Sequence, residues 1–225
     1  MPHDHPPLVA LISAVDTAIT PIHTAFDEHY PTAQLWNIID DRLLSDAAAH
    51  GAVTTALHRR MQRLIDHVVE GGADAVLLTC SMYASVAHEK ATGASIPILG
   101  PDDALFQAVT ASGYRRITVV SSAPGPLADS IARLRRMVDS DVTVDGALAA
   151  EAAGPARHGN LDLITQSICA AVTSTATAPD AVVLGQYSLT PVAPRIETAT
   201  GIATLAGPDH AVRNLRARLE AAVPS

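Results

Sequence analysis

The chain has 225 residues, 48% of them apolar and only 3% aromatic, and 14 of its 15 basic residues are Arg against 23 acidic ones, for a net charge of −8. That length holds one large domain or two small ones, with a core that must be built from Ala, Val, Leu and Ile. No basic run or basic-aromatic stripe points to nucleic acid, and the apolar stretch from Leu8 to Ala14 is too short to span a bilayer.

From the N-terminus, Met1-Pro-His-Asp-His-Pro-Pro7 lacks the positive region and cleavage pattern of an export signal, which leads us to expect a cytoplasmic protein. His3 and His5 read as part of a polar leader and not as a metal tract. Strand-like apolar runs then alternate with helical patterns, the signature of βα units and a parallel sheet. Strands are expected near 8–14, 34–39, 74–79, 96–99, 116–121, 142–145, 181–185 and 202–206. One helix is expected from Ser45 or Asp46 to Glu70, with Leu57, Met61, Leu64, Ile65 and Val68 at helical spacing and Gly71-Gly72 as its stop. Others are expected from Pro101-Asp102-Asp103 toward Ser112, from about Pro126 to Val138, and from about Asn160 to Ser174. The two cysteines, Cys80 and Cys169, have no metal-type spacing, and a reducing compartment suits both. Cys169 falls among apolar neighbours of the last of these helices and reads as structural.

Gly72-Ala-Asp-Ala-Val-Leu-Leu-Thr-Cys-Ser81 reads as a strand covered on both faces that ends on a thiol. In open α/β sheets ligands bind at the carboxyl ends of strands, where Cys80 falls. The stretch recurs. Gly72 to Ala87 superposes without gaps on Ala178 to Ala193, 106 residues later, with Asp, Ala, Val, Leu, Val and Ala coinciding. Ile96 to Leu105 resembles Ile202 to Val212 with one insertion, and Leu8 to Ala14 resembles Ile117 to Ala123 at an offset of 109. Three collinear matches imply a duplication. The expected fold is α/β, two pseudo-symmetric Rossmann-like lobes with parallel sheets and the active site in the cleft between them. The first lobe is read as 1–98 completed by a C-terminal helix at about 208–225, and the second as 99–207. In that arrangement Cys80 would face Gln186 across a ligand.

With its duplicated layout, Thr79-Cys80-Ser81, Gly185-Gln186-Tyr187-Ser188 and two Gly-Pro-Asp helix starts, the chain resembles the aspartate/glutamate racemase superfamily over essentially its full length. That group also holds hydantoin racemase, maleate isomerase and arylmalonate decarboxylase. The resemblance implies proton transfer at the α-carbon of a small carboxylate through an enolate-like intermediate, without pyridoxal phosphate or metal. It also implies a homo-oligomer, a dimer or larger. In the family's racemases two cysteines flank the α-carbon. Here the first falls on Cys80, and the second position holds Gln186, whose amide has no acid-base role of the required strength. Arylmalonate decarboxylase also works with one cysteine, in its second lobe, whereas the thiol here is in the first.

The candidate catalytic residues are therefore Cys80 and Gln186. Carboxylates and enolates need fixed donors, which strand-to-helix turns supply. Asp16, Thr17, Ser81, Ser121, Ser122, Tyr187 and Ser188 are the candidate substrate-binding residues, each otherwise a cap or turn residue. Asp16 corresponds to an acidic residue that some family members keep after their first strand. His88 and Lys90 lie on the helix after Cys80, His210 belongs to a helix start, and no histidine spacing builds a metal site. A rival reading is a non-catalytic carboxylate-binding or sensing protein on the same scaffold.

Overall fold

The computed structural model describes residues 5–221; His3 of the leader and the last four residues of the expected C-terminal helix lie outside them. Eight strands form two sheets of four, all parallel: β1 (Leu8–Ser13), β2 (Gln34–Ile39), β3 (Ala75–Leu78) and β4 (Ile98–Leu99) in the order β2-β1-β3-β4, and β5 (Arg116–Ser121), β6 (Thr143–Leu148), β7 (Ala181–Leu184) and β8 (Ala203–Ala206) in the order β6-β5-β7-β8. The identical order is the fold-level form of the sequence repeat. The helices are α1 (Ile19–His29), α2 (Arg42–His50), α3 (Thr55–Glu70), α4 (Ala84–Ala91), α5 (Asp103–Ala111), α6 (Pro124–Arg135), α7 (Ala153–Arg157), α8 (Leu161–Thr173), α9 (Ala193–Thr200) and α10 (Gly207–Ala221). None is long and apolar enough to cross a membrane. By their internal contacts the residues fall into two units, one running to Asp103 and resuming at Pro208, the other from Ala104 to Gly207.

In the first unit β3 is wholly buried, which is why it reads as an unbroken apolar run and not an alternating one. Leu57, Met61, Ile65 and Val68 of α3 are buried at helical spacing and share a core with Val76, Leu78 and Tyr83. The long helix expected from Ser45 is two. It starts earlier, at Arg42, and Gly51 breaks it with φ of 71°, a left-handed conformation that ends α2; Thr54 then caps α3 by accepting from the Leu57 N–H. Arg216 of α10 donates to the His29 carbonyl at 3.1 Å and lies over the Tyr30 ring, tying α10 to the end of α1.

The second unit repeats the pattern. β7 is wholly buried, and Ile164, Ile168 and Val172 of α8 pack with Val182 and Leu184. Leu105, Phe106 and Val109 of α5 join Ile117, Val119 and Val183 in an adjoining core.

Strand register fixes how the copies correspond. Val9 and Ile117 pair with Ala75 and Ala181. The 106-residue offset for the third strands is therefore kept, and Ile98 and Thr204, opposite Val76 and Val182, keep it for the fourth. The first strands are related by 108 residues and not by the 109 read from sequence. The one-residue correction aligns Ser13 with Ser121, the last residues of β1 and β5.

Candidate active site

At the carboxyl end of β3, Cys80 is the last extended residue, with φ of −114° and ψ of 117°, before a 3-10 helix at Ser81–Tyr83 that leads into α4. Its carbonyl accepts the Tyr83 N–H at 3.1 Å. Cys80 is half-buried against the first unit's core, Ser81 is buried, and Tyr83 is fully enclosed with its hydroxyl donating to the Leu43 carbonyl at 2.9 Å. Burial first, then the neighbouring Cys80 and Asp40, hold the Tyr83 phenol above its ordinary pKa, with Arg60 acting against them. Tyr83 is thus a neutral brace under the thiol's loop.

The next strand-to-helix connection of this unit brings Ser13 under the same loop. Thr79 Oγ1 donates to Ser13 Oγ at 2.9 Å, and both side chains are buried. Thr79 belongs to the Thr79-Cys80-Ser81 stretch read from the sequence, whereas Ser13 does not figure in that reading, where the 109-residue offset sets it opposite Ser122. Asp16 is exposed and Thr17 half-buried in a short 3-10 helix at Asp16–Ala18 whose N-cap is Val15, so Asp16 sits in the first turn and is not its cap. His88 bonds Asp103 at 2.8 Å, Lys90 pairs with Asp66, and His23 meets Asn37 at 2.9 Å. The first two partners account for His88 and Lys90, which follow Cys80 on α4.

The second unit places Gln186 in the position of Cys80. Gln186 is the last extended residue after β7, with φ of −145° and ψ of 137°, before a 3-10 helix at Tyr187–Val192, and its carbonyl accepts the Leu189 N–H at 3.1 Å. Its side chain is built into the turn after β5. Gln186 Oε1 accepts from the Ser122 N–H at 2.7 Å, from Ser121 Oγ at 2.9 Å and from Ser122 Oγ at 2.9 Å. Ser121, Ser122 and Gln186 are thus brought together as one cluster. Tyr187 is buried and Ser188 half-buried on the 3-10 helix that follows. Gly185, just before Gln186, runs close to its neighbours: a Cβ there would lie 3.3 Å from the Val120 carbonyl and 3.4 Å from Ser130 Oγ. Cys169 packs among the apolar residues under α8, and burial raises its thiol pKa.

What the two ends can do differs with the side chain. A thiol is an ionisable group, whereas an amide offers only hydrogen bonds. Among the described residues no group of three or more His, Cys, Asp or Glu is arranged to hold a metal ion.

No protein-family model matches the chain, and no curated protein matches it in sequence. Solved structures do. Glutamate racemase from Thermus thermophilus, in complex with β-chloro-D-alanine, superposes with a TM-score of 0.77 at 16% identity, covering 96% of this chain and 81% of the other. Aspartate racemase from Picrophilus torridus gives 0.70 at 14%, covering 96% and 94%. An arylmalonate decarboxylase variant in its liganded form, with one glycine changed to cysteine and one cysteine to serine, gives 0.58 at 15%, covering 95% and 92%. The chain therefore shares the fold of these glutamate and aspartate racemases.

Proposed function

We propose that this chain is an enzyme of the aspartate/glutamate racemase superfamily that moves a proton at the α-carbon of a small carboxylate, with Cys80 as its one acid-base thiol and no cofactor. The observation that carries the reading is the position of Cys80. At the two equivalent positions, 80 and 186, one side chain is a thiol and the other an amide, in a fold whose solved examples include racemases and a decarboxylase. Removing a proton from the α-carbon, or carbon dioxide from a malonate, leaves the same enolate-like anion. A protonated thiol can deliver the proton that quenches it. Ser81, next to the thiol, is proposed to lie beside the substrate.

The test is solvent-deuterium incorporation at the α-carbon, followed by NMR over a panel of amino acids, hydroxy acids and malonates. The wild type is expected to label one class, and Cys80→Ala to lose that activity while its circular dichroism and thermal midpoint stay unchanged. Full-rate labelling by Cys80→Ala would overturn the role of the thiol. Tight binding without labelling or product would instead leave a binding protein.

A further inference from the structure

Gln186 presents its amide in one orientation, and the structure says which. The atom facing the Ser122 N–H at 2.7 Å must be an acceptor, because a backbone N–H can only donate; a flipped amide would set donor against donor. The orientation of Gln186 thus follows from its partners. Its oxygen also lies 2.9 Å from both Ser121 Oγ and Ser122 Oγ; the one Ser121 hydroxyl proton is shared with the Ala123 carbonyl at 3.1 Å, and the Ser122 N–H with the Ser122 hydroxyl is enough to take both lone pairs of the amide oxygen. What remains for a ligand is the pair of N–H donors on Nε2, and the donors drawing on the carbonyl polarise those N–H bonds further.

The neighbouring backbone offers little for that task. The Ser122 N–H is engaged by Gln186, and the Ala123 N–H points to Ser121 Oγ at 3.3 Å. The helix that follows opens Pro124-Gly125-Pro126, so two of its first three residues have no N–H. Of the donors usual at a helix N-terminus, two are spent and two are missing, which leaves the Gly125 N–H and the side-chain amide of Gln186.

We propose that Gln186 is a fixed, donor-only anchor for a carboxylate, aimed by Ser121 and Ser122 as positioning residues, and that it takes no part in proton transfer. The group it receives carries lone pairs, as a carboxylate does; an ammonium group, which has donors only, is turned away. The proposal rests on the functional reading above in taking the ligand to be the substrate's carboxylate.

The experiment is a titration of the full chain with malonate, with malonamide and 1,3-diaminopropane as uncharged and cationic probes of similar size, followed by the Gln186 side-chain amide signals in a nitrogen-15 NMR spectrum. Those signals are assigned by their absence in Gln186→Glu, which keeps an oxygen toward Ser121 and Ser122 and replaces the N–H pair with a second oxygen. Malonate is expected to shift the Gln186 signals saturably, the diamine to leave them in place, and Gln186→Glu to bind malonate at least about tenfold more weakly. Ser122→Ala is expected to broaden or split the Gln186 signals at an unchanged thermal midpoint, a change that a merely structural serine would not produce. Malonate that leaves the Gln186 signals unmoved, or that binds Gln186→Glu equally well, overturns the proposal; tighter binding by Gln186→Ala would show the side chain to be a plug and overturns it too. Repeating the titration on Cys80→Ala separates the two readings. Malonate shifts there, with no deuterium labelling by the wild type, would sink the enzymatic reading and leave the anchor standing.

Discussion

The carboxylate of Asp180 does for β5 what that of Asp74 does for β1. Asp74 Oδ2 accepts the Leu8 N–H at 2.7 Å, and Asp180 Oδ2 accepts the Arg115 and Arg116 N–H groups, each at 2.9 Å. The Asp shared by the two sequence copies is therefore a clamp between the third and first strand of each sheet, and its recurrence has a structural cause.

A pH dependence follows for Asp180. The two backbone N–H donors, then the Arg116 guanidinium, hold its carboxyl below the ordinary carboxylate value, with desolvation opposing. A carboxyl with a lowered folded-state pKa contributes stability that is present above the unfolded value of about 3.9 and lost as pH falls through the folded one. Thermal scans of wild type and Asp180→Asn should show the wild type's advantage in full at about pH 6 and shrinking below about pH 4. An advantage that stayed constant to lower pH would mean that the carboxylate charge is not what the clamp uses.

How much of this was legible beforehand depends on whether a feature is local or relational. All eight strands were readable, because buried parallel strands such as Ala75–Leu78 and Ala181–Leu184 are short apolar runs with turn residues after them. The break at Gly51 was not: Ala47, Ala48, Ala49 and Ala52 are good helix formers, and a Gly inside a helical pattern does not declare its φ. At the candidate site the repeat brought Cys80 and Gln186 into equivalence, and their matching turns follow from it. The bonds from Ser121 and Ser122 to Gln186 were out of reach, since they join residues 64 and 65 apart through a side-chain rotamer. The Ser13 and Thr79 bond was out of reach too, since it joins side chains 66 residues apart and the copy of Thr79 is Gly185.

Close packing at the end of α3 yields a second prediction. A Cβ on Gly71 would come within 2.5 Å of Trp36 Cη2 and 3.2 Å of the His67 carbonyl, so the indole must move. Gly72, by contrast, has φ of 87° and open space around it. Gly71→Ala is expected to cost about 1–3 kcal/mol and to shift the fluorescence of Trp36, the chain's single tryptophan. Gly72→Ala should cost about 1 kcal/mol through backbone strain alone and leave the emission where it is. If both variants moved the emission alike, the contact with Trp36 would not be the cause.

Tyr83 gives a third. Its hydroxyl reaches from beneath the Cys80 loop to the Leu43 carbonyl in α2, within a site closed to water. Tyr83→Phe keeps the ring and removes only that bond, so a loss of about 1 kcal/mol, or about 2–4 °C in thermal midpoint, is expected. Urea denaturation should give the same loss with an unchanged slope. A variant as stable as the wild type would show that the bond contributes no net stability.

The two cysteines should part company in their chemistry. Cys169 is packed on the inner side of α8, and burial raises its thiol pKa, so its thiolate is scarce at neutral pH. In a Cys80→Ala background, where Cys169 is the one thiol left, iodoacetamide should react slowly, with a rate that climbs through a midpoint above the ordinary value of about 8.5. Unfolding in urea should return that midpoint to the ordinary range, which separates burial from any property of the residue's sequence neighbours. The reciprocal variant, Cys169→Ala, should keep full deuterium labelling of the substrate, with a modest loss of stability from the sulfur's packing. A midpoint at or below the ordinary value in the folded protein would make Cys169 the more reactive thiol. Loss of labelling in Cys169→Ala without unfolding would then move the chemistry away from the end of β3.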